Sequence, residues 1–303
     1  RLMEKMNSRI YKNKKMIIFF LIPAFIFMFV FLYYPFVQNI INSFQHIKYM
    51  GTTSAEWNKP FYINYIKIFQ DPKMLIALKN TGIMIVATIL GEVGIALILS
   101  LLVSNIRKGS GFFRVVYFFP IVVSATALGL LFNLIFLYDK GMINQILQFV
   151  GYLDASTNEL IDWKADHAIF TMLVPVIWQY VGFYFIILLT GLSGIPEELY
   201  EAASIDGATK FQRARYITLP LLRNSICTCV VLAVTGALKV FDLPWTMFPN
   251  GMSDTWLTGT YMYDNVFSDV DFAAAIGVII VIIGVVLSVV VNKIFKTKSD
   301  YEV

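Results

Sequence analysis

Hydrophobic residues along this chain gather into six long runs, and the polar stretches between them carry nearly all the charge. The runs cover Met16–Val37, Thr81–Ser104, Val115–Leu137, Ala168–Leu192, Leu222–Leu243 and Phe272–Phe295. At a rise of about 1.5 Å per residue each is long enough to cross a hydrocarbon core of about 30 Å as a helix. Backbone polar groups in lipid must be satisfied within the segment, so six transmembrane helices of an all-α membrane protein are expected. Arg9, Lys12, Lys14 and Lys15 precede the first run, as in the basic region of a signal peptide. That run is too long for a signal peptide and has no small-residue cleavage site after it, so an uncleaved first span is expected.

Composition narrows the class. The chain of 303 residues is 58% hydrophobic and only 15% charged, with a mean hydropathy of +0.69. Soluble domains run at roughly 45–50% apolar and about 25% charged, which excludes an ordinary soluble fold. The length would suit two soluble domains, but a helical bundle of this size in a bilayer is expected to be a single unit. The division expected is a segment 1–15, a transmembrane domain 16–295 and a tail 296–303.

The net charge of +4 matters less than its placement. Arg1, Lys5, Arg9, Lys12, Lys14 and Lys15 lie before the first run, and Arg107, Lys108 and Arg114 follow the second. Lys210, Arg213, Arg215 and Arg223 follow the fourth, and Lys293, Lys296 and Lys298 close the chain. Between them, Gly141–His167 holds only Lys164, and Pro244–Asp271 holds no Lys or Arg. By the positive-inside rule both termini and the loop 193–221 are expected to be cytoplasmic. The segment Lys48–Lys79, on the outer side, is lysine-rich and fits this scheme least well. It is long enough for short interfacial helices, with a break at Asp71-Pro72. No tandem repeat, low-complexity run or inverted pair of broken helices of the secondary-transporter kind is present.

Chemistry-bearing residues are few. Cys227 and Cys229 stand inside an apolar run without the ligand number zinc needs, and read as small buried hydrophobes. His46 and His167 lie outside the runs and far apart, so no metal and no catalytic residue is assigned. Glu92, between Gly91 and Gly94, reads as a buried partner for another helix in preference to a pore carboxylate. Lys239 and Asp242, three apart, would share one helical face as a structural ion pair or a gate.

The loop between the fourth and fifth runs is well punctuated. Pro196 suits a first helical position and Gly207 the site just past a helix end. Glu197 and Glu198 fall in the first turn, where the helix dipole favours negative charge. Leu199, Ala202 and Ala203 recur at i, i+3 and i+4, a small shallow face on a helix about 15 Å long. Two readings stay open on physics alone: a plug for a groove on another protein, or a solvated connector.

Glu201-Ala202-Ala203, then Gly207, then Ile217-x-Leu219-Pro220 resembles the EAA loop of binding-protein-dependent ABC importer permeases, with the family spacing unbroken. The wider chain, from about Tyr33 to Phe295, is similar to the MalF/UgpA-like sugar branch. Asn64-Tyr65, Asp71-Pro72 and Asn80-Thr81 match the approach to that branch's second span. Phe112-Phe113-Arg114 with Phe119-Pro120, Gly141-x-Ile143-Asn144, Trp178-Gln179 and the form Ile205-Asp206-Gly207-Ala208 of the loop also match. After Phe241-Asp242-Leu243-Pro244-Trp245 the chain departs from the family, reading Phe248-Pro249-Asn250-Gly251-Met252 where a Thr-x-Gly-Gly-Pro turn is usual.

The resemblance implies a type I ABC importer permease fold in a bacterial cytoplasmic membrane, with a short cytoplasmic coupling helix between spans four and five. It implies membrane lipid, a second homologous permease, two copies of an ATP-binding subunit and an extracytoplasmic solute-binding protein as partners, and no nucleic acid. The chain has no Gly-x-x-x-x-Gly-Lys-Ser/Thr segment, so ATP and magnesium are expected in the partner subunits and no cofactor on this chain. Glu201 would transmit motion, Ala202 and Ala203 would allow close approach, and Gly207 would permit the turn. Asp206, Ile217, Leu219 and Pro220 complete the coupling set. The solute implied is a sugar or oligosaccharide, with its site on spans four and five. Gln179 could exchange hydrogen bonds with it, while Trp178, Tyr180 and Tyr184 could stack on a pyranose face or merely line interfaces. Asn133 faces solute contact or helix–helix hydrogen bonding. Other readings are a permease for glycerol phosphate or polyamine, a stand-alone proton-coupled carrier, and a membrane-embedded enzyme, for which Glu92 alone supplies no charged cluster.

Overall fold

The computed structural model describes residues 14–47, 49, 51, 56–104, 106, 109–153 and 160–295. The basic residues Arg1, Lys5, Arg9, Lys12, Lys48, Arg107, Lys108, Lys296 and Lys298 lie outside the described residues. Among the described residues, five helices are long and apolar enough to cross a membrane, or six if one bent pair counts as a span.

The first, α1 (Lys15–Asn42), continues five residues past the expected end at Val37 and passes through a π-helical turn at Phe29–Tyr33. A two-residue antiparallel ladder follows, β1 (Gln45–His46) with β2 (Glu56–Trp57), then the short helix α2 (Ile63–Gln70). Asp71 stops α2 and starts α3 (Pro72–Ser104): its carboxylate accepts from the Lys73 and Met74 amides at 2.8 and 3.2 Å, and Pro72 takes a position that needs no donor. The break expected at Asp71-Pro72 is therefore a helix cap, and α3 begins nine residues before the apolar run does.

The third run is not one helix. It divides into α4 (Ser110–Val122) and α5 (Ala125–Ile135), which meet at 93°. Pro120 in the last turn of α4 has no N–H to continue the ladder. Val123 and Ser124 are then extended, with ψ of 137° and 132°, and the Ser124 carbonyl accepts from Leu128 to start α5. A short helix α6 (Met142–Phe149) precedes the long α7 (Ala168–Ser193). The loop after α7 contains α8 (Glu197–Ile205) and α9 (Lys210–Arg213), the latter extended through a π-helical turn at Ala214–Thr218. The fifth run also breaks, into α10 (Arg223–Lys239) and α11 (Asp242–Met247). Then come α12 (Thr258–Asn265) and α13 (Val270–Phe295).

The chain divides into two compact units. One comprises the residues up to Ile68 with Asn265–Val278; the other comprises Phe69–Asp264 with the chain from Ile279 onward. In the first, the lysine-rich segment that contains α2 is tied to the start of α13. The buried Asn64 amide donates to the Ser43 carbonyl at 3.1 Å and to the Asp271 carboxylate at 3.0 Å. His46 Nδ1 lies 3.8 Å from the same carboxylate.

In the second unit α7 is central: 56% of its most apolar window is buried, against 28% for α3. Tyr184, Phe185, Leu188 and Leu192 pack with Val93 and Ala96 of α3 and Val230 and Val234 of α10. Met172 and Val176 pack with Leu128 and Phe132 of α5 and Leu243 and Met247 of α11. In lipid such contacts rest on close van der Waals fit, which small residues permit. Gly182 shows why: a Cβ there would fall on the Tyr117 carbonyl of α4. Cys229 is buried in this core and Cys227 half-buried, both as free thiols.

Candidate functional site

A cavity of about 190 Å³ opens within the second unit, walled by α3, α7 and the α10–α11 junction. On α3 a π-helical turn at Ile89–Gly94 interrupts the regular ladder and presents Glu92 to this space. Such bulges are frequent at functional sites. Glu92 is 3% exposed, and its carboxyl shares the cavity wall with the Tyr184 hydroxyl of α7. Gly236 of α10 faces that hydroxyl and leaves room beside it.

One helical turn earlier on α7, Gln179 and Tyr180 complete the wall. The Gln179 side chain, 4% exposed, donates to the Val123 carbonyl at 3.5 Å. That carbonyl is available because the α4–α5 break leaves it without a helical acceptor role. The bend in the third span and the polar lining of the cavity are thus parts of one arrangement.

Lys239 and Asp242 also line the cavity, but not as expected. The helix stops at Lys239, Val240 is extended (ψ 126°), and Asp242 opens α11. They therefore do not share one helical face, and among the described residues no ion pair joins them. The Pro244 ring two residues on and the non-helical Phe241 (φ −139°, ψ −60°) keep the ladder from passing through.

The structure brings Gln179, Tyr180 and Tyr184 together with Lys239 and Asp242, and leaves Trp178 and Asn133 out of the lining. Trp178 is 44% exposed and meets Phe132 edge-on at 5.7 Å. The Asn133 amide donates to the Thr246 carbonyl of α11 at 3.3 Å and accepts from Lys164 at 3.0 Å. Its groups join α5 to α11 and to the turn before α7. Burial holds the Lys164 ammonium below its ordinary pKa, against the pull of Asp162. Glu92, set aside in the sequence as a structural partner, is both a partner and part of the wall. A carboxylate at membrane depth between glycines was the signal for it.

The second candidate element is the loop 193–221. Glu197 and Glu198 do occupy the first turn of α8, while Pro196 caps the helix one position before its expected place. The far end is a Schellman motif: Gly207 N–H donates to Ser204 O at 3.1 Å and Ala208 N–H to Ala203 O at 2.9 Å, with Gly207 at φ +77°. Thr209 and Gln212 form a capping box that starts α9. Arg213 donates to Ser204 Oγ at 2.8 Å, and the Tyr200 and Thr218 hydroxyls meet at 3.0 Å. These bonds lock α8 to α9. Glu201, Ala202, Asp206 and Pro220 are exposed, and Ala203, Ile217 and Leu219 half-buried. Ile205 and Phe211 stand 87% and 74% exposed beside them. The result is a cross-bonded knob with an apolar rim, lying between α7 and α10 in the chain.

The family model described as the binding-protein-dependent transport system inner membrane component matches residues 92–300. The chain is 34% identical to the probable ABC transporter permease protein YurN of Bacillus subtilis, over 95% of this chain and 99% of that one. It is 31% identical to the arabinooligosaccharides transport system permease protein AraP of Halalkalibacterium halodurans, over 92% and 87% respectively. Its fold matches a chain of a bacterial ABC transporter involved in the import of the acidic polysaccharide alginate. That match has a TM-score of 0.79 and covers 96% of this chain and all of the other at 20% identity. The chain belongs to the family of binding-protein-dependent transport system inner membrane components, the permeases of ABC importers.

Proposed function

We propose that this permease passes a sugar or oligosaccharide through the cavity between α3, α7 and α10–α11, and that α8 couples the passage to ATP hydrolysis on partner subunits. The observation that carries the reading is the knob: a short helix bearing Glu201-Ala202-Ala203, exposed and cross-bonded, fused to the two spans that wall the cavity. A push on α8 moves α7 and α10 with it, as rigid elements move in domain closure.

Sugar as the cargo draws support from relatives named for arabinooligosaccharides, diacetylchitobiose and multiple sugars. The cavity chemistry agrees. Gln179 can donate and accept, Glu92 and Asp242 accept from hydroxyls, and Tyr180 offers a ring face. In this reading the assembly has a second permease, two ATP-binding subunits holding ATP and magnesium, and an external solute-binding protein. Both termini and α8 face the cytoplasm. This chain carries out no chemical reaction of its own.

The test is ATP hydrolysis and labelled-sugar uptake in proteoliposomes, comparing the native complex with Glu201→Ala. Hydrolysis stimulated by binding protein and sugar, with coupled uptake lost in an assembled variant, is the expected result. Uptake by the native chain without ATP or an ATP-binding partner would overturn the reading in favour of a stand-alone carrier.

A further inference from the structure

We propose that a groove between α4 and α7 binds an anionic phospholipid, with Arg114 on the phosphate and an acyl chain along the helix. The groove holds about 400 Å³ and is walled by Val115, Phe118, Phe119 and Val122 of α4 and Ile186 of α7, with Arg114 at one end. On α4 these positions follow Arg114 by one, four, five and eight residues. They form one stripe, and it runs about 12 Å from Arg114 to Val122 at the helical rise. Gly182 holds the two helices together one turn from Ile186, where α7 meets the Tyr117 carbonyl, so the second wall of the groove is fixed.

The chemistry of the lining selects the occupant. Apart from Arg114 the lining is aliphatic or aromatic, and Val115 and Val122 are 70% and 71% exposed. Arg114 is exposed and makes no ion pair among the described residues. A guanidinium stays charged and matches a phosphate with its planar fork of donors. A free phosphate would satisfy Arg114 and leave the dry stripe uncovered; a neutral lipid would cover the stripe and leave Arg114 unpaired. Only a molecule with an anionic head and a hydrocarbon tail meets both. Arg114 lies near the start of α4, in the cluster of basic residues that the charge pattern assigns to the cytoplasmic side, where anionic lipids attract basic groups. The inference rests on α4 and α7 crossing a bilayer, and is independent of which solute is carried.

The test uses the complete complex of this chain with its partner subunits, reconstituted in mixed phosphatidylglycerol and phosphatidylcholine, re-extracted in mild detergent and examined by native mass spectrometry. Native complex should retain phosphatidylglycerol at least five-fold over its share of the mixture. Arg114→Gln should abolish that enrichment, and Val122→Trp, which keeps the charge and fills the tail end, should reduce it as far. Lys293→Gln, a charge removed from α13, should leave it intact. Enrichment undiminished in Arg114→Gln, or lost equally in Lys293→Gln, overturns the proposal. So does a high-yield disulfide from Val115→Cys to the partner permease, since a protein helix then fills the groove. Should Arg114→Gln fail to assemble, Val122→Trp decides alone.

Discussion

Tyr184 has two neighbours on other helices: the Glu92 carboxyl, which shares its cavity wall, and Gly236, which leaves space beside it. If the two groups pair, replacing Glu92 by Leu leaves a buried hydroxyl without that partner, which costs about 1–3 kcal/mol. Glu92→Gln keeps a hydrogen-bonding group and should lose less. Thermal unfolding of the detergent-solubilised protein would rank the two, and equal losses would mean the bond contributes nothing. Gly182→Val is the harsher change, since the added carbons would meet the backbone of α4. It should destabilise by more than about 3 kcal/mol, or block assembly, as overpacking at a rigid contact does; native-like melting would refute the close crossing. Asp269, just before α13, gives a pH signature. Burial, with the hydrogen bond and negative charge of Asp271, raises its pKa from 3.8 to about 6, against the pull of Lys67. The folded form therefore holds this proton more tightly than the unfolded one. The stabilisation is full below pH 4 and is lost as pH climbs through 6. Asp269→Asn should flatten that part of the stability profile.

At the level of elements, α8 is defined by its ends. Its Schellman motif needs a left-handed residue, which glycine adopts without strain and a β-branched residue does not. Gly207→Val should cost about 1–2 kcal/mol locally and, on the proposed coupling role, lower ATP-driven uptake more than ATP hydrolysis. A variant with both activities unchanged would show that the shape of the knob is irrelevant to coupling. The loop illustrates what local sequence can convey. Glu197, Glu198, Gly207 and the Thr209–Gln212 box act within one or two turns, so their pattern is readable without the fold. The placement of Pro196 at the cap and not at the first helical position is a shift of one residue, within the ordinary spread of helix ends.

For the whole molecule, the proposed orientation makes a labelling prediction. In a background lacking Cys227 and Cys229, Ile205→Cys on α8 should react with a membrane-impermeant thiol reagent only from the cytoplasmic face. Phe149→Cys at the end of α6, 92% exposed, should react only from outside. Reaction of both from one side would remove the span between them from the proposed topology, and exchanged sides would invert it.

The apolar runs, the basic clusters and the punctuation of the loop 193–221 were legible from the sequence because each depends on neighbours within a few residues. A run of twenty apolar residues commits its backbone to helix in lipid, since its polar groups must be satisfied within the segment. Proline and glycine mark turns by their own backbone preferences. Tertiary structure alone decided the rest. The third run looks continuous, yet α4 and α5 part at 93° and free the Val123 carbonyl for Gln179, which lies 56 residues on. Lys239 and Asp242 have the spacing of a helical pair, yet the helix ends between them. Asn64 finds Asp271 across 207 residues, and Glu92 finds Tyr184 only because α3 and α7 pack together. A buried polar group takes whichever partner the fold brings near, and composition and periodicity hold no record of that partner.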